Sequence, residues 1–360
     1  MEKQKLRKLK PRQKPQAAAW YSLDLGGKSP CARVGQNSLY LPPLKPGSRD
    51  GKVVIIAGAN PSGSFADSYF IDLDANCWTK LDWEHLLPRY EHAAFIPRSH
   101  PNTLWVYGGT SETGNRDCVQ VLDLEIGSWE KTKVIGNPPS PRTFHTSTAA
   151  IGDRLYVFGG GDKGVDPVQD QQLHIFDSTT LTWSQPEVGG QSPGPRHGHV
   201  VVAVENQLFV HGGLAGDTFY DDLFSLDIRQ LQWEKVSTSG AIPGGRAAHS
   251  AVAFQGHLYI FGGMDPTGEL NTTYRYHIEK RHWTQLEFIS PLPSGRLDHS
   301  MCVIPWDTSG GGAHEDDGTE EAARGEGRPG QGLVYLCLVF GGMSVKGEIY
   351  DDCIVSVLGE

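Results

Sequence analysis

The chain has 360 residues, of which 38% are apolar, and it contains 44 Gly and 23 Pro. The apolar share supports a substantial core and excludes a disordered chain, while the many Gly and Pro residues favour short strands and tight turns over an all-helical fold. The longest strongly apolar run, 333–340, is far shorter than the ~20 residues that a membrane-spanning helix needs.

The first element in chain order is a basic tail, residues 1–16, which we predict to be disordered. Residues 1–14 hold seven basic side chains and the single acid Glu2, a charge of +6. Because the net charge of the whole chain is −10, the remainder carries −16. That acidity argues against nucleic acid as the main partner. The tail is either solvated or in contact with an anionic membrane, and no apolar signal segment follows it, so we expect a cytosolic protein.

Beyond the tail, a repeat of about 50 residues organises the chain. Six apolar strands end in a glycine, five of them in a Gly-Gly pair as in LYVFGG, and their first glycines are Gly58, Gly108, Gly159, Gly212, Gly262 and Gly341. An arginine followed three residues later by a histidine precedes five of these strands, and Arg33 with Gln36 precedes the other. A lone tryptophan follows each of the first five: Trp78, Trp129, Trp183, Trp233 and Trp283.

This combination resembles the kelch family, whose repeats each form one four-stranded blade of a β-propeller. The resemblance implies an all-β fold over residues 17–360, a six-bladed kelch β-propeller with four antiparallel strands per blade. The physical argument agrees, because radial stacking buries both faces of sheets that could not be covered alone. We expect the glycines to permit close backbone approach and the tryptophans to pack between adjacent blades.

The last glycine unit lacks a downstream tryptophan, and the missing one stands at the other end of the chain. Trp20 lies on the apparent strand WYSLDL before the first Arg33 unit. We therefore predict that this N-terminal strand is the outer strand of the last blade and closes the ring. Deletion of residues 1–14 should then hardly affect melting, whereas deletion of residues 1–25 should destabilise the protein severely.

An insertion at 307–332 lengthens the last repeat. It contains eight glycines and seven acids among 26 residues, so we predict a flexible acidic loop. Because it joins the first to the second strand of its blade, it should emerge on the face opposite the arginines. A role in phosphorylation or docking stays open.

Five histidines, one per repeat, invite a metal hypothesis, but they lie on five successive first strands and not at ligand spacing. We interpret each as bonding to backbone within its own blade. The sequence contains no nucleophile-elbow, zinc-helix, phosphate-loop or dinucleotide motif. We therefore predict neither catalytic residues, nor a cofactor, nor a metal.

The arginines are the candidate partner-binding residues. Antiparallel topology places the loop entering each first strand on the same face as the loop leaving each second strand, so we predict a cationic ring there, suited to a carboxylate-bearing partner. The alternative is that each arginine pairs with an acid of its own or the next blade, such as Asp67, Asp117, Asp170 or Asp222. The candidates, with loop aromatics for apolar contact, are Arg33, Arg89, Arg142, Arg196, Arg246, Arg296, Tyr90, Phe144, Phe219 and Tyr220.

Longer stretches, among them WYSLDLGGKSPCARVGQ, LLPRYEHAAFIP and GRLDHSMCVIPW, resemble kelch propellers that act as effectors of Rab GTPases. The resemblance implies a non-enzymatic, monomeric protein that binds the GTP form of a late-endosomal Rab GTPase. It also implies support of transport from endosomes to the trans-Golgi network, including recycling of mannose-6-phosphate receptors, by a cytoplasmic protein peripherally associated with endosomal membranes. Two other classes stay open: a generic scaffold or substrate adaptor for an acidic ligand, and a small-molecule enzyme.

Overall fold

A computed structural model describes residues 5–43, 51–145, 148–163, 166–309 and 332–359. Six antiparallel sheets surround a central channel, so the predicted six-bladed propeller is confirmed. Within the described ranges no helix is long and apolar enough to cross a membrane. From the innermost strand outward, the blades comprise Asn37–Leu41, Lys52–Ile56, Ser68–Asp72 and Cys77–Leu81; Ala93–Phe95, Thr103–Tyr107, Val119–Asp123 and Ser128–Lys131; Ala150–Ile151, Arg154–Val157, His174–Asp177 and Thr182–Ser184; Val200–Val204, Gln207–His211, Leu223–Asp227 and Gln232–Lys235; Ser250–Phe254, His257–Phe261, Thr273–His277 and His282–Gln285; and Ser300–Asp307, Leu333–Phe340, Cys353–Leu358 and Trp20–Leu23.

The ring closes inside blade 6, as predicted. The N-terminal strand Trp20–Leu23 pairs antiparallel with Cys353–Leu358, and its register places Trp20 opposite Ser356. Blade 6 therefore combines three strands from the end of the chain with one from its beginning. This arrangement gives the fourth-strand position of the last blade a partner and leaves no gap between the last and the first repeat.

The tryptophans pack between blades, as the repeat predicts. Trp183 of blade 3 lies against Tyr107 of blade 2, with ring centroids 4.7 Å apart, and Trp233 of blade 4 lies against Phe158 of blade 3 at 5.3 Å. Each of the six apolar clusters joins the second strand of one blade to the tryptophan of the next. The six tryptophans so used are Trp20, Trp78, Trp129, Trp183, Trp233 and Trp283.

The glycine pair is required by the contact between neighbouring blades. Gly159 and Gly160 both have positive φ, 64° and 114°. A Cβ on Gly159 would lie 2.9 Å from the imidazole of His199 in the next blade, and one on Gly160 would lie 2.8 Å from the Cβ of His145. With no side chain in the way, the backbone N–H of the second glycine donates to an arginine carbonyl of the following blade. In blade 1 the pair is Ala57 and Gly58, because Ala57 has a φ of 58° and the Gly58 N–H makes this bond, so Gly58 is the second residue of its pair and not the first, as the sequence suggested. All six junctions have this bond: Gly58 to Arg89, Gly109 to Arg142, Gly160 to Arg196, Gly213 to Arg246, Gly263 to Arg296 and Gly342 to Arg33.

The described part of the basic tail is ordered, which corrects the prediction of disorder through residue 16. Arg7–Leu9 forms a fifth, parallel strand on the outer edge of blade 6, and Leu9 is fully buried. The indole N–H of Trp306 donates to the carbonyl of Gln13 at 2.9 Å. The sequence did not indicate this strand because only Leu9 faces the core, while the neighbouring cations face solvent. Blades 1, 4 and 5 also gain a short fifth strand: Gly26–Gly27, Gly189–Gly190 and Ser239–Gly240.

The insertion lies where the sequence places it, between the first and second strands of blade 6. Its two ends are adjacent, because the Thr308 hydroxyl donates to the Gly332 carbonyl at 2.8 Å. Most of the predicted flexible loop, 310–331, lies outside the described residues.

Candidate partner-binding face

The upper face of the propeller carries the loops that enter the first strands and those that leave the second strands. Five of the latter loops form short β-hairpins, which project from blades 1 to 5. The arginines, the loop aromatics and the channel opening all belong to this face. It is therefore the candidate site that the sequence predicts, and its chemistry depends on which of those side chains solvent can reach.

The arginines do not form an exposed cationic ring, which corrects the prediction. All six are 0–3% exposed. Arg196 is representative: its Nε donates to the Gly194 carbonyl at 3.1 Å, its Nη1 donates to the Gly212 carbonyl at 2.9 Å, and it pairs with Asp222 at 2.6 Å. The guanidinium thus ties the loop entering the first strand to the end of the second strand in the same blade. A buried charge in this position is retained by its partners.

The same arrangement recurs in every blade, with differences in the acidic partner. Carboxylates also pair with Arg33, Arg142 and Arg296, at 2.7, 2.9 and 2.7 Å, and they belong to Asp67, Asp170 and Asp352. Arg89 donates to the Gln120 side chain at 2.6 Å, so Asp117 is not the partner that the alternative named. Arg246 donates to the Thr272 hydroxyl at 3.2 Å. Burial lowers the pKa of these last two arginines, whose hydrogen-bonding partners are not carboxylates.

The four aromatic candidates are half-buried and distributed around the face. Tyr220 lies over the Arg196 guanidinium, with 4.1 Å from Cζ to the ring centroid, so part of its surface stabilises the blade. Phe219 belongs to the hairpin Leu214–Ala215 with Thr218–Phe219. Tyr90 makes a pair of backbone hydrogen bonds with Thr110. Phe144 has positive φ and lines the channel.

With the arginines buried, the exposed charge of the upper face is acidic. Eight exposed acids occupy the described parts of the loops that leave the second strands: Glu112, Asp117, Asp162, Asp166, Asp217, Asp221, Glu348 and Asp351. Lys346 is an exposed cation on the corresponding loop of blade 6. Basic residues on a partner would therefore favour its binding to this face, whereas the sequence predicted a preference for a carboxylate-bearing partner.

A ring of backbone surrounds the upper end of the channel. The residue two positions after each arginine has positive φ, which directs these backbone groups toward one another. Five N–H to C=O bonds link successive members: Gly35 to Asp298, Glu91 to Gly35, Phe144 to Glu91, Ala248 to Gly198 and Asp298 to Ala248. The ring defines a narrow pocket, and two of its six members are acids.

Glu91 and Asp298 stand on either side of Gly35 in this ring. Burial raises the pKa of Glu91 to about 7, against the hydrogen bond that its carboxylate accepts from Thr143. Burial and the neighbouring charge of Glu91 raise the pKa of Asp298 well above its usual range. The repeat contained a signal for this pair, because acids at this position occur in blades 2 and 6, but the sequence argument did not use it.

Neutralising the pair should stabilise the protein increasingly as pH rises. Neutral carboxyls are favoured in the folded state, so their contribution is present at low pH and is lost as pH rises through the raised pKa values. We expect the Glu91→Gln/Asp298→Asn variant to gain on the order of 2 kcal/mol over the wild type between about pH 5 and pH 8. Urea unfolding followed by tryptophan fluorescence measures this difference.

The wild type must be compared with the variant because the buried histidines change the free energy of unfolding with pH in the opposite direction. Burial and Arg196 lower the pKa of His199 to about 3, so protonation of the unfolded chain destabilises the fold below about pH 6.5. This effect is common to both proteins and cancels in the difference. Glu125→Gln, on an exposed turn, is the control and should show no pH-dependent gain. Equal pH profiles for the wild type and the double variant would contradict the raised pKa values.

Two of the repeat histidines, His199 and His249, hydrogen-bond to the preceding blade, which corrects the prediction that each histidine bonds within its own blade. His199 Nε2 donates to the Phe158 carbonyl of the preceding blade at 2.8 Å. His249 Nε2 shares a hydrogen bond with His211 Nδ1 of the preceding blade at 3.0 Å. Gln36 takes the same role in blade 1, so the departure from histidine there keeps the function. Among the residues that the structure describes, no group of three potential ligands could hold a metal ion.

Comparison with known proteins identifies the family. A family model described as the KLHDC2/KLHL20/DRC7 Kelch-repeats domain matches residues 47–263 and 148–308. Proteins named Rab9 effector protein with kelch motifs are similar over 97% of this chain and 98% of their own length, with identities of 61% in Bos taurus, 59% in Gallus gallus and 57% in Homo sapiens. The repeat, the six-bladed fold and these relatives agree: the chain belongs to the kelch-repeat family that includes the Rab9 effector proteins with kelch motifs.

Proposed function

We propose that the protein is a non-enzymatic Rab effector, a monomeric propeller that binds the GTP form of a late-endosomal Rab GTPase. The observation that carries the proposal is its near full-length similarity to proteins named as Rab9 effectors. In this role it supports transport from endosomes to the trans-Golgi network, including recycling of mannose-6-phosphate receptors, and associates peripherally with endosomal membranes.

We place the GTPase on the upper face. The loops of all six blades converge there, and the half-buried Tyr90 and Phe219 offer apolar surface beside exposed acids of the hairpins. The arginines are no longer candidates for direct contact, because their donors are committed within the blades. Burial of these arginines also removes the basis for the alternative, a scaffold that binds an acidic ligand through a cationic ring.

The experiment that tests the function is capture of Rab9 loaded with either GTP or GDP by the purified full chain. An effector retains the GTP form at least tenfold better, because the two nucleotide states differ in the conformation of their switch loops. Equal retention of both forms, or of neither, would contradict the proposal.

Reversing charge on the blade 4 hairpin tests the surface. We expect Asp217→Lys/Asp221→Lys to weaken capture of the GTP form at least tenfold, mainly through a slower association rate, with a smaller effect at high salt. Both side chains are exposed, so the fold should be unaffected. Surface plasmon resonance at two salt concentrations measures both quantities.

The matched control reverses two exposed acids on the lower face, Glu125→Lys/Glu279→Lys. It changes the net charge equally and should leave capture intact. If the control weakens capture as much as the hairpin variant, the effect comes from overall charge. If only the control weakens capture, the GTPase binds the lower face.

A further inference from the structure

The outer edge of blade 6 carries a concentrated basic strip. The parallel pairing of Arg7–Leu9 with Tyr21–Leu23 fixes the tail against the propeller. Six cations of the ordered segment are exposed: Lys5, Arg7, Lys8, Lys10, Arg12 and Lys14. Lys8 pairs with Asp24 at 2.6 Å, and the segment 5–16 contains no acid. The strip is therefore an ordered surface and not a mobile charge cloud.

Exposed aliphatic side chains lie on the same edge. The backbone N–H of Ile289 donates to the Ala18 carbonyl at 2.9 Å, which places the loop after the last strand of blade 5 beside the N-terminal segment. Ile289 is 75% exposed and Leu292 is 44% exposed. Leu292 also lines an open cleft together with Lys5 and Leu6. We call this surface, residues 5–16 with 289–292, the blade 6 edge.

We propose that the blade 6 edge docks on an anionic lipid membrane. Cations on one strip attract acidic headgroups, and aliphatic side chains among them can enter the boundary between headgroups and acyl chains. Residues 5–16 contain no acid, and their neighbouring acids are Asp24, which pairs with Lys8, and Glu269, Glu348 and Asp352, which line the cleft beside Lys5. The cations from Lys10 to Lys14 are spread along an open edge, which suits a diffuse layer of headgroups better than one discrete ligand. The acidic upper face is repelled by the same membrane, so the charge separation also orients the propeller. This inference does not depend on the proposed GTPase.

The test is sedimentation of the full chain with vesicles of phosphatidylcholine and phosphatidylserine, compared with phosphatidylcholine alone. Wild-type protein should partition onto the anionic vesicles, with a strong decrease at high salt. Neutralising three cations, Lys10→Gln/Arg12→Gln/Lys14→Gln, should lower the partition coefficient roughly a hundredfold, since each cation near such a surface contributes about fivefold. All three side chains are exposed, and thermal melting should be unchanged.

A matched control neutralises three exposed lysines on the outer strands of blades 1, 2 and 4, Lys80→Gln/Lys131→Gln/Lys235→Gln. It removes the same charge and should leave partition within twofold of the wild type. Ile289→Ser/Leu292→Ser tests the apolar part, and we expect a further loss of at least threefold without loss of stability.

Absence of wild-type binding to anionic vesicles, or equal losses in the two triple variants, would overturn the proposal. Binding of the strip to RNA or heparin without vesicle binding would overturn it in favour of a polyanionic partner. Capture of GTP-loaded Rab9 in solution, measured on the same variants, is expected to be unaffected, so failure of membrane docking and failure of the effector function are distinguishable.

Discussion

Removal of residues 1–25 is expected to abolish the cooperative unfolding transition of the propeller. The deletion takes away the fourth strand of blade 6 and exposes the edge of Cys353–Leu358. It also removes Trp20, whose ring lies 5.0 Å from Phe261 and 5.6 Å from Phe288. The single substitution Trp20→Ala, which keeps the backbone pairing, should cost about 3–5 kcal/mol. Urea unfolding followed by circular dichroism and tryptophan fluorescence measures both.

Removal of residues 1–14 should have an intermediate effect, because it deletes the outer strand with the buried Leu9 and leaves the indole N–H of Trp306 without the Gln13 carbonyl. We expect a loss of about 2–4 kcal/mol. This replaces the expectation from sequence that residues 1–14 hardly matter. Deletion of residues 1–4, which removes none of the described contacts, is the control. If the proteins lacking residues 1–14 and residues 1–4 have the same melting temperature, the strand Arg7–Leu9 does not form in solution.

Substitution of Arg196 by alanine should destabilise the protein by about 3–5 kcal/mol. It leaves the Asp222 carboxylate without its cation and the Gly212 carbonyl without its donor inside the blade. The exposed Arg229 is the control, and its replacement by alanine should change the free energy of unfolding by no more than about 0.5 kcal/mol. Urea unfolding at neutral pH checks both values.

A double variant separates the ion pair from the packing. Arg196→Met/Asp222→Asn removes both charges while preserving much of the volume, so it should recover a large part of the stability lost in Arg196→Ala. Should Arg196→Ala fold with wild-type stability and yet fail to capture the GTPase, the arginine faces the partner and our assignment to the blade interior is wrong.

The spacing of repeated residues, together with the kelch resemblance that it carries, was sufficient to predict the fold. Positions such as Gly159 and Trp183 recur because every interface between blades has the same geometry, so periodicity indicates six repeats, and the resemblance implies that each repeat is a blade. Closure by Trp20 could be predicted because the last repeat lacks its tryptophan, and an additional tryptophan precedes the first repeat. The strand Arg7–Leu9 could not, since its single buried leucine sits among cations that are typical of a solvated tail.

The chemistry of the upper face was predicted less well, for a physical reason. The sequence places Arg196 near the channel but contains no direct measure of burial, and its partner Asp222 lies 26 residues away. Arg296 finds Asp352 only across the insertion. The histidine contacts were assigned to the wrong blade because periodicity relates equivalent residues and does not say which neighbour a side chain reaches.

Closure through blade 6 also determines when the protein can finish folding during its synthesis. Trp20 leaves the ribosome before any of the repeats, whereas its partner Ser356 is made only after blades 1 to 5. Blades 1 to 5 can form as their strands appear, but the last sheet waits for Cys353–Leu358, and until then the N-terminal strand has an unpaired edge and an exposed indole. Because joining such distant segments is slow, closing the ring should be the late step of folding, and the nascent N-terminus should be the segment most in need of a chaperone.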